Sequence, residues 1–314
     1  MTISVCIVAL NEEEYLPDLL NDIESQTYPH ECMEIVLIDS GSSDKTKPIM
    51  ERFKEEKNGF KNIKVLDNPK KKQAAGWNVA IKNFTCDVLV RIDAHSKIPS
   101  DFVEKNIFLL ESGENISGGV RPCIIVNENE WTKTLLQAEN SMFGSSINAC
   151  RRSGEKQYVK TMFHAAYRRE VFEKVGGFNE NLGRTEDNEL HYRMRQAGYK
   201  FCFNPDIVSY QYARSSLKNM LKQKYGNGYW IGLTLGVCPQ CLSLFYFVPF
   251  AFVCAILFTL ILSLFGIYLL GELLAGAYTL AALAMTLMAV RESGYRKFSF
   301  MLPLLFFLLH TSYG

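Results

Sequence analysis

The sequence lacks the excess of basic residues that binding to nucleic acid requires. Its 314 residues include 34 Lys and Arg and 33 Asp and Glu, which gives a formal charge of +1. Only three basic and two acidic residues follow Lys224, so residues 1–224 are balanced as well. Because contacts to phosphates need a basic surface, this balance argues against a nucleic-acid partner.

The sequence also lacks a regular cysteine pattern and a secretory signal. Nine cysteines are scattered along the chain, and the N-terminus shows neither a basic region nor a cleavage site. We therefore expect reduced thiols in a cytosolic or membrane-buried setting. Cys238 and Cys241 form a lone C-x-x-C motif, which favours a structural role because metal sites of this type usually need a second pair.

Charge is absent from long stretches of the C-terminal third. No charged side chain occurs in residues 225–271, 273–290 or 298–314. An apolar run of about 18 or more residues can cross a ~30 Å hydrocarbon layer as a helix. We predict membrane spans at about 244–270, 273–290 and 298–314. Residues 225–243, rich in Gly, Tyr and Trp, are expected to form an amphipathic segment in the membrane interface.

Basic residues around these stretches predict how the chain is oriented in the membrane. Three lysines shortly precede the first stretch, and three basic residues lie between the second and the third. The positive-inside rule then places residues 1–224 and the loop at 291–297 on the cytoplasmic side. We expect a multi-pass protein of the cell membrane with a cytoplasmic head.

Residues 1–224 have the pattern of a water-soluble α/β domain. Apolar runs typical of strands occur at residues 3–10, 34–39, 63–66 and 88–92, and helical patterns separate them. Strands that alternate with helices predict a mostly parallel central sheet. In such sheets, ligands bind beyond the carboxyl ends of the strands.

Acidic residues lie where a ligand of this sheet would bind. Asp39 ends the second predicted strand, Asp93 ends the fourth with His95 two residues later, and Glu186 and Asp187 open a helix. A carboxylate with an imidazole suits Mn²⁺, or Mg²⁺ with phosphate and water completing the octahedron. Taken singly, each feature has a plainer interpretation: Asp93 caps a helix, His95 is a surface residue, and the two acids complement a helix dipole.

In this order and context, the features resemble the family-2 glycosyltransferases of the GT-A fold. The resemblance covers about residues 1–225 and rests on several spaced motifs. The apolar C-terminus, the Asp-Ala-His variant of the D-x-D motif and the ending His-Thr-Ser-Tyr-Gly are most similar to succinoglycan-type exopolysaccharide glycosyltransferases of bacteria. The matching stretches are SVCIVALNEE (4–13), IDSGSSDKT (38–46), AGWN (75–78), DAH (93–95), FHAAYRR (163–169), VGGF (175–178) and TEDNEL (185–190).

The resemblance implies a Rossmann-like GT-A domain and assigns roles to individual residues. Asp187 would be the catalytic base, and Asp93 and His95 would bind a Mn²⁺ or Mg²⁺ cofactor. Asp39 would hydrogen-bond the nucleotide base, and Lys72 would lie near the diphosphate. The positions expected to bind the nucleotide sugar are Val8, Leu10, Glu12, Asp39, Lys72, Asp93 and Glu186.

The implied activity is inverting transfer of a sugar from a nucleotide sugar, expected to be a UDP-sugar, to a lipid-linked or envelope polysaccharide acceptor. Membrane lipids are further expected partners. Processive synthesis is disfavoured because residues 223–230 lack the Q-x-x-R-W motif of processive synthases.

Two alternatives remain open at this point. The first is a sugar-phosphate nucleotidyltransferase, which is disfavoured because residues 8–14 contain no glycine. The second is a non-catalytic subunit that binds nucleotide sugars within a polysaccharide assembly complex. The presence of both Glu186 and Asp187 argues against it.

Overall fold

The structure is a computed structural model, and it describes residues 1–57, 59–144 and 154–314. The chain forms two compact units. The first unit comprises Met1–Pro122 and Ala149–Gln211, and the second comprises Cys123–Asn148 and Tyr212–Gly314.

This division differs from the expected boundary after residue 224. Residues 123–148 and 212–224 belong to the same unit as the apolar C-terminus, although their composition is that of a soluble domain. The physical reason is packing, since Leu135, Met220 and Leu305 lie in one buried cluster. The composition of a segment shows how polar it is. It does not show which other segment packs against its apolar face.

Eight strands form the central sheet of the first unit. Their order across the sheet is β3-β2-β1-β4-β9-β6-β10-β8. Strands β5, β7 and β11 lie outside this sheet. The strands of the described residues, in chain order, are β1 (Ile3–Ala9), β2 (Met33–Asp39), β3 (Asn62–Asp67), β4 (Val88–Asp93), β5 (Ser96–Lys97), β6 (Ile116–Val120), β7 (Cys123–Ile124), β8 (Gln157–Val159), β9 (Ala166–Arg168), β10 (Phe201–Val208) and β11 (Tyr210–Tyr212).

The sheet is mostly parallel, as the sequence predicts. Strands β3, β2, β1 and β4 run parallel to one another, and β6 runs parallel to β10. Strand β9 is antiparallel to both β4 and β6, and β8 is antiparallel to β10. The carboxyl ends of β1, β2 and β4 therefore lie together at one edge of the sheet, which is where ligands bind in folds of this class.

Both faces of the sheet are covered, and its central strands β1, β2 and β4 are buried along nearly their whole length. Alternate side chains of β1 serve two cores, with Val5 in one and Cys6 in the other. Helices α1, α2 and α4 contribute to the first core, and α3, α6 and α7 contribute to the second. The helices of this unit are α1 (Leu16–Glu24), α2 (Thr46–Glu56), α3 (Gln73–Asn83), α4 (Phe102–Glu111), α6 (Arg169–Val175) and α7 (Glu186–Gln196), and α5 belongs to the second unit.

The second unit is helical and has its own core. Gln137 connects three of its segments, because its side chain bonds the hydroxyls of Ser293 and Ser299 and the carbonyl of Gly294. The helices are α5 (Glu130–Asn140), α8 (Leu217–Thr234), α9 (Val248–Ser263), α10 (Leu269–Ser293) and α11 (Leu302–Tyr313).

Helices α8 and α11 approach each other closely at Gly228. A Cβ at this position would clash with the carbonyl oxygen and carbonyl carbon of Tyr313. Only glycine lets a helix backbone come this near to a neighbouring chain. The expected interfacial segment at 225–243 therefore begins inside a helix that starts at Leu217 and is packed against α11.

Two of the predicted membrane segments are long enough as helices to cross a bilayer. Leu244–Ser263 has a mean hydropathy of 2.5 and Leu269–Ser293 one of 1.9 over their most apolar 18 residues. The connection between the two helices lies near Gly266, and Glu272 lies in the first turn of α10. The third segment forms only the twelve-residue helix α11 after a short 3₁₀ turn. At about 1.5 Å per residue, α11 is too short for the predicted span at 298–314, which stays a prediction.

Candidate active site

Asp39 and Asp93 flank the carboxyl end of β1. In the strand register, Asp39 pairs with Ala9 and Asp93 pairs with Val8. Because neighbouring strands lie about 4.8 Å apart, the two aspartates are roughly 10 Å apart at the same edge of the sheet.

Asp39 shapes the loop that follows β2. Its carboxylate accepts hydrogen bonds from the backbone N–H groups of Gly41 (3.1 Å) and Ser42 (3.2 Å). Gly41 has a φ of +81°, which favours glycine, and a Cβ there would also clash with the Lys71 side chain. The loop therefore depends on Asp39, which is only 3% exposed.

Asp93 lies among three cationic or polar side chains. His164 Nε2 is 3.3 Å and an Arg121 guanidinium nitrogen 3.4 Å from Asp93 Oδ2, and Arg91 is 3.7 Å from Oδ1. Burial alone would raise the pKa of Asp93, but His164 and the two guanidinium charges outweigh it and hold this pKa well below its ordinary value. Asp93 is therefore an anion at physiological pH.

The backbone at His164 is unusual. Its φ of +41° lies in the left-handed region, which is uncommon for a residue other than glycine and often marks a functional site. Its Nδ1 lies 2.9 Å from the Ser209 hydroxyl. Burial lowers the pKa of His164 below its ordinary value, despite the neighbouring Asp93. The ring is held as a neutral group facing Asp93.

Arg91 lies between Asp93 at the end of β4 and the acid pair at the start of α7 and contacts both. Its guanidinium binds both carboxylate oxygens of Asp187 and lies over the rings of Trp77 (4.5 Å from the centroid) and Phe178 (5.4 Å). The sequence analysis did not select Arg91, although a charged residue inside the apolar run VLVRID is a signal of a buried ionic contact. Asp187 and Asp93 thus belong to one site.

Helix α7 begins at the acid pair for a physical reason. Three acids occupy its first turn and two arginines its last turn, which complements the helix dipole at both ends. Glu186 and Asp187 therefore complement the helix dipole, as the plainer interpretation expects, and they also lie in the candidate site. Dipole complementation alone would not bury Glu186, which is only 3% exposed.

Four buried polar atoms in this region have no hydrogen-bond partner among the described residues. Such atoms are rare in folded proteins and are usually satisfied by a ligand or an ordered water. They are therefore donors and acceptors that a polar substrate could engage. The atoms are Trp77 Nε1, Arg91 Nε, Glu186 Oε2 and His191 Nδ1.

The expected metal ligands supply two donors. Within residues 1–57, 59–144 and 154–314, no group of three or more His, Cys, Asp or Glu side chains is arranged to hold a metal ion. His95 Nδ1 lies 3.1 Å from Glu12 Oε1, a contact of the kind that orients a metal-binding imidazole. An ion held by Asp93 and His95 would therefore have to take most of its ligands from phosphate and water, as Mg²⁺ does.

The other residues that the resemblance predicts to bind the nucleotide sugar have different surroundings. Val8 packs against Gly76 of α3, where a Cβ would clash with its side chain, so α3 lies directly on the end of β1. Leu10 is 47% exposed beyond the strand. Lys72 Nζ donates to the carbonyl of Glu180 at 3.2 Å. The side chain of Lys71, which the sequence analysis did not select, lies against Gly41 in the loop that Asp39 shapes.

Glu186 gives the fold a dependence on pH. Burial and the adjacent Asp187 carboxylate raise the pKa of Glu186 to about 7, while Arg91 opposes the shift. Because the folded chain holds this proton more tightly than the unfolded chain, the contribution of Glu186 to stability is complete below about pH 4.5 and is lost as the pH rises through 7.

Replacing Glu186 by glutamine should therefore weaken this pH dependence. Relative to Glu186→Gln, the wild-type free energy of unfolding should fall by roughly 2–3 kcal/mol between pH 5 and pH 8. Urea unfolding of both proteins at the two pH values measures this difference. Parallel stability curves would show that Glu186 does not hold a proton in the folded state.

Comparison with known proteins agrees with the fold and identifies the family. The profile described as Glycosyl transferase family 2 matches residues 4–176, which is more than half of the chain. The chain belongs to glycosyl transferase family 2. A second profile, Glycosyl transferase family 21, matches residues 131–312 of this family-2 chain.

Two curated relatives cover most of the family-2 chain. A dolichyl N-acetyl-alpha-D-glucosaminyl phosphate 3-beta-D-2,3-diacetamido-2,3-dideoxy-beta-D-glucuronosyltransferase of Methanococcus voltae is 30% identical over 99% of this chain and 95% of its own length. The succinoglycan biosynthesis protein ExoA of Rhizobium meliloti (strain 1021) is 30% identical over 71% of this chain and 67% of its own. The resemblance to succinoglycan-type enzymes is thereby confirmed.

A solved structure supports the fold. The mannosyltransferase PcManGT from Pyrobaculum calidifontis, in complex with GDP-Man and Mn²⁺, matches 99% of the family-2 chain and 85% of its own chain with a TM-score of 0.65. Sequence identity is 19%, so this likeness speaks for the GT-A fold alone.

Proposed function

We propose that the protein is a membrane-attached, inverting glycosyltransferase that moves a sugar from a nucleotide sugar to a lipid-linked or envelope polysaccharide acceptor. The observation that carries this proposal is the gathering of Asp39, Asp93 and the acid pair Glu186–Asp187 at one edge of the sheet. Arg91 joins two of these groups directly. Membership of glycosyl transferase family 2 supports the reaction class.

The proposed donor is a UDP-sugar that lies across the ends of β2, β1 and β4. Asp39 would accept a hydrogen bond from the uracil, and Val8, Leu10 and Glu12 would line the same pocket. The diphosphate would lie toward Asp93, within reach of the basic residues Arg121 and Lys72. The structure of PcManGT contains GDP-Man, so the experiment must decide which nucleotide base this chain binds.

The proposed reaction is a single displacement at the anomeric carbon. An acceptor hydroxyl attacks that carbon as the nucleoside diphosphate leaves from the opposite face, so the anomeric configuration inverts. The hydroxyl is far too weak an acid to ionise first, and a carboxylate within hydrogen-bond reach takes its proton as it attacks. The family resemblance assigns this role to Asp187.

A divalent ion would assist departure of the diphosphate. Asp93 and His95 would hold the Mn²⁺ or Mg²⁺ ion, which when bound neutralises charge that builds on the diphosphate. The chain itself contributes the low-pKa carboxylate of Asp93 and the His95 ring oriented by Glu12.

Attachment to the membrane is proposed from the two long apolar helices. Leu244–Ser263 and Leu269–Ser293 would form the attachment, with residues 1–224 as the cytoplasmic GT-A domain and 225–243 as an interfacial segment. The relative from Methanococcus voltae carries a dolichyl-linked acceptor in its name. By analogy, we propose a polyprenyl-linked glycan as the acceptor of this chain.

The test is a donor and acceptor screen on the purified full-length protein. Candidate donors are UDP-N-acetylglucosamine, UDP-glucose, UDP-glucuronic acid and GDP-mannose, each with and without Mn²⁺. The acceptor is dolichyl N-acetylglucosaminyl phosphate in detergent, and mass spectrometry identifies the product. We expect transfer from a UDP-sugar with inversion, which NMR of the product measures. Binding without turnover would instead favour a nucleotide-sugar-binding subunit.

A further inference from the structure

Arg91 holds Asp187 from the buried side of the candidate site. Its guanidinium donates to both carboxylate oxygens of Asp187, with the Oδ2 contact at 3.4 Å. The side chain of Arg91 is 4% exposed and that of Asp187 is 15% exposed. The pair therefore joins a buried guanidinium to a carboxylate that is partly open to solvent.

The contact with Arg91 leaves Asp187 able to accept a proton. The two oxygens of a carboxylate offer about four acceptor positions, and a bidentate arginine fills two of them. An acceptor hydroxyl can therefore donate to Asp187 while Arg91 stays bound. The two parallel hydrogen bonds also fix the plane of the carboxylate, which a single hydrogen bond does not do.

Arg91 is itself held by elements other than α7. Its strand, β4, lies between β1 and β9 in the middle of the sheet. The guanidinium lies 4.5 Å from the ring centroid of Trp77 and 5.4 Å from that of Phe178, distances at which an aromatic face attracts a cation. Its Nη2 is also 3.7 Å from Asp93 Oδ1. These contacts make Arg91 a fixed point to which the first turn of α7 is bound.

We infer that Arg91 is a positioning residue of the transfer, which holds the base Asp187 in the orientation that accepts the proton of the acceptor hydroxyl; this inference rests on the proposed transferase activity. In that step the acceptor oxygen bonds to the anomeric carbon, and its proton moves to a free acceptor position of Asp187. The bond from that carbon to the diphosphate breaks, and its electron pair leaves with the nucleoside diphosphate. Arg91 takes no part in these bond changes and acts only through Asp187.

Replacing Arg91 should slow the transfer without weakening the binding of the nucleotide. Arg91→Met removes the guanidinium fork and should lower kcat by about 100-fold, which is the typical effect of a reacting group displaced by about 1 Å. Arg91→Lys keeps the charge but not the two parallel hydrogen bonds, and should lower kcat by about tenfold. The affinity for the nucleotide should change by less than about threefold in both variants, because Asp93 keeps its contacts with His164 and Arg121.

The deciding experiment is a double-mutant cycle of kcat between Arg91 and Asp187. It uses the full-length protein in detergent and the donor and acceptor pair that the wild type turns over fastest. Turnover is divided by the number of sites that bind the nucleoside diphosphate of that donor, so that unfolded protein does not count. Asp187→Asn should lower kcat by about 100- to 10,000-fold because it removes the proton acceptor. Adding Arg91→Met or Arg91→Lys to Asp187→Asn should lower kcat by no more than about threefold further, since the base through which Arg91 acts is gone.

Arg169 provides a matched control in the same unit. Its guanidinium lies 4.1 Å from the ring centroid of Phe84 and donates to the carbonyls of Phe84 and Cys86. Arg169→Met therefore also removes a cation from an aromatic ring, but it should leave kcat per binding site close to wild type. A fall as large as that of Arg91→Met would mean that turnover follows packing in this unit, and it would overturn the inference.

The remaining outcomes separate the inference from the activity on which it rests. A wild type that transfers from none of the donors contradicts the proposed function before any variant is compared. With an active wild type, an equal loss from Arg91→Met with and without Asp187→Asn overturns the inference alone, because Arg91 would then act independently of Asp187. A kcat close to wild type in Arg91→Met or in Asp187→Asn also overturns it. If Arg91→Met does not bind the nucleotide, Arg91→Lys decides, and loss of binding in both would show that Arg91 serves the fold rather than the base.

Discussion

Replacing Arg91 by methionine should lower the free energy of unfolding by about 3–5 kcal/mol, which is the typical cost of breaking a buried ion pair. The substitution leaves Asp187 without its guanidinium and removes one of the cationic groups beside Asp93. It also removes the cation that lies over the Trp77 ring. Urea unfolding of the full-length protein in detergent, followed by fluorescence, measures this loss.

A second substitution separates the ion pair from simple loss of packing. Adding Asp187→Leu to Arg91→Met removes the uncompensated carboxylate, so the double variant should recover part of the lost stability. If the two substitutions instead add independently, Arg91 and Asp187 are not energetically coupled. Arg91→Met within about 1 kcal/mol of wild type would contradict the buried ionic link itself.

Replacing Asp39 by alanine should weaken binding of UDP by about 10- to 100-fold. A hydrogen bond to a charged group contributes roughly 1.5–3 kcal/mol, and each 1.4 kcal/mol changes an affinity tenfold. The loss has two sources, because Asp39 would contact the base and because it also holds the loop through Gly41 and Ser42. Isothermal titration calorimetry with UDP measures the change.

The neighbouring strand provides a matched control for this prediction. Asp67 ends β3 opposite Asp39 in the register, but it is exposed and pairs with Lys47. Asp67→Ala should leave the affinity for UDP unchanged, since an exposed ion pair contributes little. Equal effects of the two substitutions would mean that Asp39 has no special role in binding the nucleotide.

The sequence predicted the first half of the fold well because its signals are local. Strands β1, β2, β3 and β4 follow from apolar runs, and their ends lie within one residue of the expected positions. The antiparallel strand β9 between β4 and β6 could not be predicted in this way. The position of β9 in the sheet depends on which distant strands have unpaired edges. A strand of three residues is too short to show a periodic pattern that would indicate its partners.

The second half of the chain shows a different limit. Polarity placed the segment that contains α5 with the soluble head, whereas its buried residues Leu135 and Ala138 pack with the C-terminal helices. The third apolar stretch was predicted to span the membrane, yet helix α11 has only twelve residues. Its residues Leu305 and Phe306 lie in the buried cluster of the second unit, a contact that composition does not predict.

The candidate site was predictable in outline but not in its contacts. Acids at strand ends are visible as sequence positions because parallel strands share one edge. The link through Arg91 and the difference between Glu186 and Asp187 depend on burial and on partners brought together from separate elements. Neighbouring acids look equivalent in a sequence, and only their surroundings distinguish a partnered carboxylate from an unpartnered one.

The most direct test of the account is a crystal structure of the protein with UDP and Mn²⁺. The account predicts that the uracil lies beside Asp39 and that the diphosphate lies beside Asp93, across the carboxyl end of β1. Nucleotide bound elsewhere on the chain, with Asp39 and Asp93 free of contact to it, would contradict the account.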